Sequence, residues 1–434
     1  MLVELSEYKT KVVDVGPPST DDLRIAEQLN DEFVTKLELR WLHNGKLEVR
    51  AHSWVGVVAL QNATIHIRPK LAGDELNVVR MIEYASGLDR LRTSQLQRTI
   101  DASAVGLLDL LCQLLAAQAE EILRDGLMYD YTTEEDSLPA LRGSLRYREQ
   151  ATRRFGQLDV LECRFDEFHA DVFDNQFLLA GVAAGARVCQ SPQTRKRLRR
   201  IEQNLSMMTS KGPHDSSYYL DRRNYTRRNE RYRSAHELCL ILIDRTGVDD
   251  IYNSGSTKSF SFLLNMNDIF EAFVATIVDE AFAATEWRVM TGRKHRSVIK
   301  RLDTNKTYSN INPDIVMSDD RELVPFDCKY KLYENKKLST SDIYQTFLYA
   351  YSLGDPDNPR AGIIYPSSKP GIQPRLGVSR VDGPAEAKIS GIAIDLVNIL
   401  NSRADRKGWD TSLAEMRGAL QAVLERRETM EVFS

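Results

Sequence analysis

Three polar side chains lie close together in an otherwise apolar part of the sequence, and their types suit chemistry on a phosphate group. Asp314 follows a proline, and Asp327 and Lys329 are two residues apart in the next strand-like run. In a strand, side chains two apart share a face, so Asp327 and Lys329 point one way while their apolar neighbours point the other. Two carboxylates that converge on one point suit a hard divalent cation, and Mg²⁺ prefers such oxygen ligands.

These residue types match the needs of phosphodiester hydrolysis. The reaction requires an activated water, charge neutralisation on the phosphate and help for the departing oxygen, and a bound divalent cation supplies all three. Lys329 would orient the water or favour its deprotonated form by charge. The sequence therefore predicts a metal and phosphate site at the edge of a sheet. The alternative is a surface ion pair between Asp327 and Lys329 with Asp314 as a turn residue, which so short a pattern alone would favour.

The elements around this site are predicted in a consistent order. Asn267 or Asp268 is expected to cap a helix with one apolar side, and that helix carries Glu271. A later helix carries Gln345 and Tyr349 at positions i and i+4, hence on one face. The strand-like runs are WRVM, PDIVM, LVPFDCKYK and AGIIYP. Helix, three strands, helix and strand form a coherent α/β unit with a small mixed sheet.

The whole chain is predicted to be an α+β multidomain protein with three regions. Residues 1–140 form a β-rich N-terminal domain with following helices, residues 141–255 a helical middle region, and residues 256–434 the α/β domain with a mixed central sheet. Asn44 and Gly45 separate two alternating runs and predict a tight hairpin turn.

Other local signals set element boundaries. Gly126 is expected to end a long apolar helix, and LRGSLRYREQ, at residues 141–150, is expected to form a connecting strand. Residues 253–260, NSGSTKSF, are the best candidate for a linker because small polar residues do not build a core.

A strongly basic block occupies residues 187–233, which contain thirteen Lys or Arg against four Asp or Glu. Four interleaved tyrosines suit a surface that neutralises phosphates and offers rings to bases. They are Tyr218, Tyr219, Tyr225 and Tyr232. The alternative is a solvated helix face followed by a loop, which a charge run alone would favour.

Composition favours a folded cytoplasmic protein. Apolar residues make up 42% and charged residues 28% of 434 residues, and the formal net charge is −4. Five scattered cysteines form no CxxC pair, so we expect reduced core residues. We expect no secretory signal and no membrane span. No GxxxxGK phosphate loop occurs in the sequence, so any nucleotide hydrolysis would have to come from a partner.

The motifs around the candidate site resemble those of the PD-(D/E)xK nuclease superfamily. In this resemblance Asp314 is the first acid, Asp327 and Lys329 are the D-x-K, and Glu271 is the helical acid of many members. QTFLY, which begins at Gln345, is similar to the Q-x-x-x-Y element of the RecB-like branch. The resemblance implies catalytic roles for these five residues. It also implies Asp314, Asp327 and Glu271 as ligands of Mg²⁺, for which Mn²⁺ is an expected substitute.

A larger set of segments resembles the McrC family over most of residues 50–370. In chain order they are VGVVALQNATIHIRPKL, LRGSLRYREQ, CRFDEFHADVFDNQFLLAG, NDIFEAFV, PDIV, DCKYK, DIYQTFLYA and GIIYP. The resemblance implies a nuclease subunit of a modification-dependent restriction system that works with an McrB-like AAA+ GTPase hexamer. The N-terminal β region would dock in the motor's pore and stimulate nucleotide hydrolysis, and the C-terminal domain would cut DNA.

The resulting hypothesis is a Mg²⁺-dependent DNA endonuclease subunit of an McrBC-like type IV restriction system. Dimerisation is one option for double-strand cleavage. Two alternatives remain open at this point, a non-catalytic adaptor that binds DNA or activates an AAA+ motor, and a stand-alone nuclease.

Overall fold

The structure is a computed structural model, and most of the chain can be described. The described residues are 1–30, 35–42, 45–85, 106–157, 159–213, 215–245, 260–292, 295–331, 333, 337–381, 383, 385–403 and 405–425. The chain divides into two compact units. One contains Met1–Leu107 together with Ser261–Ser434, and the other contains Leu108–Phe260. The three regions predicted from the sequence have other boundaries than these two units. The roles assigned to the three regions stay predictions. The linker expected at residues 253–260 lies, apart from its last residue, outside the described residues.

The N-terminal part of the first unit is rich in β-structure. Its elements are β1 (Leu2–Ser6), β2 (Thr10–Asp14), α1 (Thr20–Leu29), β3 (Leu37–Trp41), β4 (Lys46–Ala51), β5 (Trp54–Ala59), β6 (Thr64–Arg68) and α2 (Glu75–Ala85). Strands β3 and β4 pair in antiparallel fashion, and Gly45 has a φ of 76°, so the predicted hairpin is confirmed. Asn44 itself lies outside the described residues.

The second unit combines helices with a three-stranded sheet in the order β7-β9-β8. Its elements are α3 (Leu107–Asp125), β7 (Asp130–Leu138), β8 (Ser144–Leu145), α4 (Tyr147–Arg153), β9 (Leu161–His169), α5 (Phe173–Val188), α6 (Pro192–Ser206), α7 (Ser216–Arg222), a 3₁₀ turn (Glu230–Tyr232) and α8 (Arg233–Arg245). Helix α3 ends at Asp125, as Gly126 predicts.

The prediction of a strand at residues 141–150 is wrong for most of that segment. Only Ser144–Leu145 forms a strand, and a helix follows at Tyr147–Arg153. The reason lies in the side chain of Gln150. Its Oε1 accepts a hydrogen bond from the Glu162 backbone N–H, and its Nε2 donates to the carbonyl of Gln157. The Gln150 side chain thus pairs two backbone polar groups of the segment that follows the helix. In a β-strand the same side chain would not reach these groups.

The C-terminal part of the first unit contains β10 (Phe260–Asn265), α9 (Met266–Phe282), β11 (Arg288–Thr291), β12 (His295–Lys300), β13 (Thr307–Ile311), β14 (Ile315–Ser318), β15 (Leu323–Cys328), α10 (Thr340–Leu353), β16 (Arg360–Pro366), β17 (Gly371–Ser379), β18 (Ala385–Ile394), α11 (Leu396–Ser402) and α12 (Arg406–Leu424). Strand β10 joins the N-terminal sheet in the order β1-β6-β5-β10. Within the described chain, no helix is both long and apolar enough to cross a membrane.

A six-stranded mixed sheet has the order β11-β14-β15-β16-β18-β17. Strand β14 pairs antiparallel with β15, whereas β15 and β16 are parallel. The predicted order of helix, three strands, helix and strand is therefore confirmed by α9, β11, β14, β15, α10 and β16. The sequence analysis did not predict strands β12, β13, β17 and β18.

The predicted cap of α9 is wrong by two or three residues. Asn265, the last residue of β10, is the N-cap, and its side chain accepts a hydrogen bond from the Asn267 N–H. Asn267 lies in the first turn, and its side chain donates to Ser53 Oγ. The helix starts earlier than predicted because β10 runs directly into it.

The central strands pack too closely for a side chain at Gly362. A Cβ added there would lie 2.4 Å from the Phe326 ring. We predict that Gly362→Ala lowers the free energy of unfolding by about 1–3 kcal/mol through overpacking. Gly418, in helix α12, has open space around its Cβ position and serves as the control. Gly418→Ala is expected to stabilise by about 0.5–1 kcal/mol. Urea unfolding of both variants tests this, and equal stability of the two would contradict the packing.

Candidate active site

The β14–β15 hairpin positions the two central carboxylates. Ile315 pairs with Phe326, so the same antiparallel register places Asp314 opposite Asp327. Directly opposed residues have Cβ atoms about 4.5–5.5 Å apart. Asp314 Oδ2 also accepts a hydrogen bond of 2.6 Å from the Cys328 N–H. Both carboxylates therefore lie at the end of the hairpin where β15 leaves it.

Lys329 completes the centre of the site. Its Nζ lies 2.7 Å from Asp327 Oδ2, and Asp327 is only 1% exposed. The contact is a short ion pair. Strand β15 ends at Cys328, but the Lys329 N–H still donates to the Ile364 carbonyl of β16 at 2.8 Å. This hydrogen bond continues the strand alternation and keeps Lys329 on the face of Asp327.

Helix α10 holds the lysine from the other side. Lys329 Nζ donates to Gln345 Oε1 at 3.1 Å, and Gln345 Nε2 donates to the Tyr349 hydroxyl at 2.7 Å. The Tyr349 hydroxyl then donates to the carbonyl of Asn312 at 3.2 Å, two residues before Asp314. This chain of hydrogen bonds links α10 to both sides of the hairpin. The predicted i, i+4 face of Gln345 and Tyr349 is thus turned toward the site.

Burial and neighbouring charges shift the proton affinity of the three central groups. Burial, together with the negative charge of Asp327, raises the pKa of Asp314 to about 7. Burial also raises the pKa of Asp327, although the Lys329 ammonium opposes this shift. Burial lowers the pKa of Lys329, but the Asp327 and Asp314 carboxylates outweigh it, so the pKa of Lys329 is raised overall. Lys329 is therefore an ammonium at neutral pH.

Glu271 lies in the second turn of α9 and is close enough for its charge to act on the site, since it adds to the raised pKa of Asp314. Among the described residues no hydrogen bond or ion pair joins it to Asp314, Asp327 or Lys329. Partial burial, followed by the charges of Asp268 and Asp327, raises the pKa of Glu271. In the described part of the chain, no group of three or more His, Cys, Asp or Glu forms a ready cation site.

The donor set fits a divalent cation held by two carboxylates. Asp327 Oδ2 is buried and, beyond the Lys329 ammonium, has no hydrogen-bond partner among the described residues, and Asp314 faces it across the hairpin. Mg²⁺ commonly binds one or two carboxylates and keeps several waters, so a third protein ligand is not required. Asp314 and Asp327 are the residues that would hold such a cation. Glu271 remains a predicted ligand.

The sequence analysis missed a supporting network one turn earlier on α10. Asp342 accepts hydrogen bonds from Lys331 Nζ at 2.8 and 2.9 Å and from the Tyr333 hydroxyl. Its own backbone N–H donates to Ser339, the N-cap of the helix. The network fixes the helix against the segment that follows β15. The spacing S-x-x-D from Ser339 to Asp342 is a helix-start signal that could have identified it.

A second missed contact ties the end of β15 to the N-terminal part of the same unit. The Tyr330 hydroxyl donates to Glu7 Oε2 at 3.1 Å and accepts from the Ala72 N–H at 3.1 Å. The Tyr8 hydroxyl donates to the Tyr330 carbonyl at 2.7 Å. Burial raises the pKa of Glu7 to about 7. Because these residues are more than 250 positions apart in sequence, no local pattern could have revealed the contact.

The basic block of residues 187–233 is only partly available to a ligand. Tyr219 and Tyr232 are fully buried, so the expectation that they offer rings to bases is wrong. The Tyr232 hydroxyl bonds to Asn175, and the Tyr219 ring stacks on Phe177. Several arginines are also engaged within the unit. Tyr219 and Tyr232 belong to the core of this unit, which sequence spacing did not indicate.

Removal of one buried charge gives a test of these electrostatics. Because its pKa is about 7 rather than the ordinary 3.8, Asp314 favours folding while protonated and loses that contribution as pH rises through 7. We predict that Asp314→Asn, without added metal, matches the wild type near pH 4 and is more stable at pH 8, by on the order of 1–2 kcal/mol. Asn retains an acceptor for the Cys328 N–H.

Thermal and urea unfolding at both pH values measure this difference. Asp320→Asn is the control because Asp320 lies on the same hairpin but is exposed, and its φ of 70° suits Asn. A gain of the same size for Asp320→Asn, or a pH-independent gain for Asp314→Asn, would contradict the raised pKa of Asp314.

Comparison with known proteins identifies the family. A family model described as McrBC 5-methylcytosine restriction system component matches residues 49–366. A chain of the refined half-complex from the tetradecameric assembly of Thermococcus gammatolerans McrB AAA+ hexamers with bound McrC aligns over 98% of this chain and 100% of that chain, with a TM-score of 0.65 and 17% identity. This likeness shows a shared fold.

The cryo-EM structure of the Thermococcus gammatolerans McrBC complex aligns over 66% of this chain and 89% of that chain, with a TM-score of 0.48 and 19% identity. No curated protein matches. The family model spans well over half of the sequence and includes every predicted site residue. The chain belongs to the McrBC family of 5-methylcytosine restriction system components.

Proposed function

We propose that the chain is the Mg²⁺-dependent DNA endonuclease subunit of an McrBC-like type IV restriction system. The observation that carries the proposal is the contact of Lys329 with the buried Asp327, opposite Asp314 and within reach of Gln345. An adaptor that only binds would have no need to bury two facing carboxylates, because their repulsion destabilises the fold. Such strained ionisable groups are typical of catalytic sites.

Asp314 and Asp327 would hold the Mg²⁺ ion, which when bound neutralises phosphate charge and activates water. Lys329 acts as a hydrogen-bond donor. Its ammonium has three donors, of which Asp327 and Gln345 engage two, so the third can orient a water or a phosphate oxygen. Gln345 fixes the direction of that donor, since its own amide is held by Tyr349.

The proposed partner is an McrB-like AAA+ GTPase hexamer. In the Thermococcus gammatolerans assembly, McrB AAA+ hexamers are found with bound McrC, and a chain of that assembly shares the present fold along its whole length. The sequence contains no phosphate loop for nucleotide hydrolysis, which fits a subunit that depends on a motor. In this proposal the chain stimulates nucleotide hydrolysis by the motor.

The decisive variants remove one charged group at a time. With the partner motor, GTP, Mg²⁺ and methylated DNA, we predict cleavage by the wild type. Asp314→Asn, Asp327→Asn and Lys329→Gln should each reduce the cleavage rate by about 100-fold or more, because each removes a group that contacts the cation or the phosphate. The control Asp320→Asn should cut at the wild-type rate, since only an exposed ion pair with Arg288 is lost.

The same assay separates the alternatives. An adaptor would raise GTP turnover of the motor and leave the DNA intact with every metal. A stand-alone nuclease would cut without the motor. Full cleavage by any of the three site variants would overturn the residue assignment.

Glu271 provides a graded test of the site's geometry. Because it lies outside the Asp314–Asp327 pair, we predict that Glu271→Gln slows cleavage by no more than about tenfold, well below the effect of Asp327→Asn. Rates measured over a Mg²⁺ titration distinguish a weaker cation affinity from a lower maximal rate. Equal losses for Glu271→Gln and Asp327→Asn would show that Glu271 is a direct ligand in the working enzyme.

A further inference from the structure

A two-stranded ribbon of β12 and β13 extends from the chain just before the candidate site. The strands are antiparallel, and in the described part of the chain neither pairs with a third strand. All residues from 301 to 310 are exposed, whereas Ile311, the last residue of β13, is buried. The ribbon therefore stands out from the core and is anchored where the chain enters Asn312.

The ribbon is basic. Residues 295–311 contain four Lys or Arg and one acidic residue, Asp303, in a protein whose formal net charge is −4. Asp303 pairs with Arg301 at 3.0 Å. Lys300 and Lys306 are exposed and form no ion pair among the residues that the structure describes. Their positive field would attract a polyanion.

The tip is a formed turn that presents apolar groups to solvent. The Arg301 N–H donates to the Lys306 carbonyl and the Asn305 N–H to the Arg301 carbonyl, both at 2.9 Å. Leu302 is fully exposed in this turn, and Tyr308 on β13 is 76% exposed. Lysines commonly protect an exposed strand edge from aggregation. That role does not account for an exposed leucine and an exposed aromatic ring on the same ribbon.

The base of the ribbon is fixed to the site. Asn312 lies directly after β13, and its carbonyl accepts a hydrogen bond from the Tyr349 hydroxyl. This is the last of the series of hydrogen bonds that begins at Lys329. At about 3.3 Å per residue, the stretch from Thr304 to Asp314 spans at most about 33 Å. That length is about one helical turn of B-DNA. A two-stranded ribbon also fits the major groove of a duplex.

We propose that this ribbon enters a groove of the DNA duplex within about one helical turn of the cut. Lys300 and Lys306 contact phosphates, and Leu302 and Tyr308 contact bases. The inference rests on the proposed function, because it assigns the surface by which the nuclease holds its substrate. Phosphate contacts supply affinity that falls with salt, while apolar contacts to bases contribute little salt dependence.

The first experiment measures binding of the full chain to a short DNA duplex in EDTA, by fluorescence anisotropy at several salt concentrations. Lys300→Gln/Lys306→Gln should reduce the slope of log affinity against log salt by about two, one for each phosphate contact. Arg406→Gln/Lys407→Gln removes the same charge from the exposed first turn of α12 and should leave the slope unchanged. Thermal unfolding confirms that each variant is folded.

The second experiment tests the apolar contacts. Tyr308→Ala should weaken binding by about fivefold or more at an unchanged salt slope, and Tyr308→Phe should restore wild-type affinity, because a ring is what stacks on a base. Leu302→Ala should also weaken binding without changing the slope. A wild-type salt slope for the double lysine variant would overturn the proposal.

A different defect would identify another role for the ribbon. If the double lysine variant binds DNA normally but stimulates the motor's GTP turnover less, the ribbon contacts the protein partner and the DNA assignment is wrong. Binding is measured in EDTA, independently of cleavage. If the wild-type chain binds DNA through the ribbon but never cuts it, only the proposed nuclease activity is contradicted.

Discussion

The burial of Asp327 opposite Asp314 is the constraint on which the site depends. An uncompensated buried charge costs several kcal/mol, so the ionised pair can exist only with positive charge and hydrogen bonds close by. The Lys329 ammonium and the Cys328 N–H supply part of that compensation. The remaining cost of burial appears as the raised pKa of both carboxyl groups, to which the charge of Asp327 adds at Asp314. A divalent cation bound by the two carboxylates would relieve it, and in our proposal this relief is the source of the affinity for metal.

The surrounding fold keeps this unfavourable arrangement in place. The hairpin fixes the two carboxylates in register, and α10 holds the lysine through Gln345. Directly beyond Lys329, the Tyr330 hydroxyl bonds to the N-terminal part of the same unit through Glu7 and Ala72. The end of β15 is thus restrained on both faces. Sites built on strands and helices that are locked by packing hold their geometry better than sites on loops.

Sequence reasoning predicted much of the site and less of its surroundings. Local alternation and spacing predicted the hairpin with Asp314 and Asp327 and the face of α10 that carries Gln345, because these depend on residues close in the chain. The contact between Tyr330 and Glu7 depends on tertiary packing and has no local signal. Tyr219 was misinterpreted for a similar reason, since its place in a basic block suggested exposure while packing buries it.

The most direct measurement of the central claim is crystallography of the chain soaked with Mn²⁺, with data collected for its anomalous scattering. We expect one anomalous peak, from a Mn²⁺ ion bound by the carboxylates of Asp314 and Asp327 with Lys329 beside it, and no peak at that position in an Asp327→Asn crystal. A peak elsewhere in the chain, or an empty site between these two carboxylates at millimolar Mn²⁺, would contradict it.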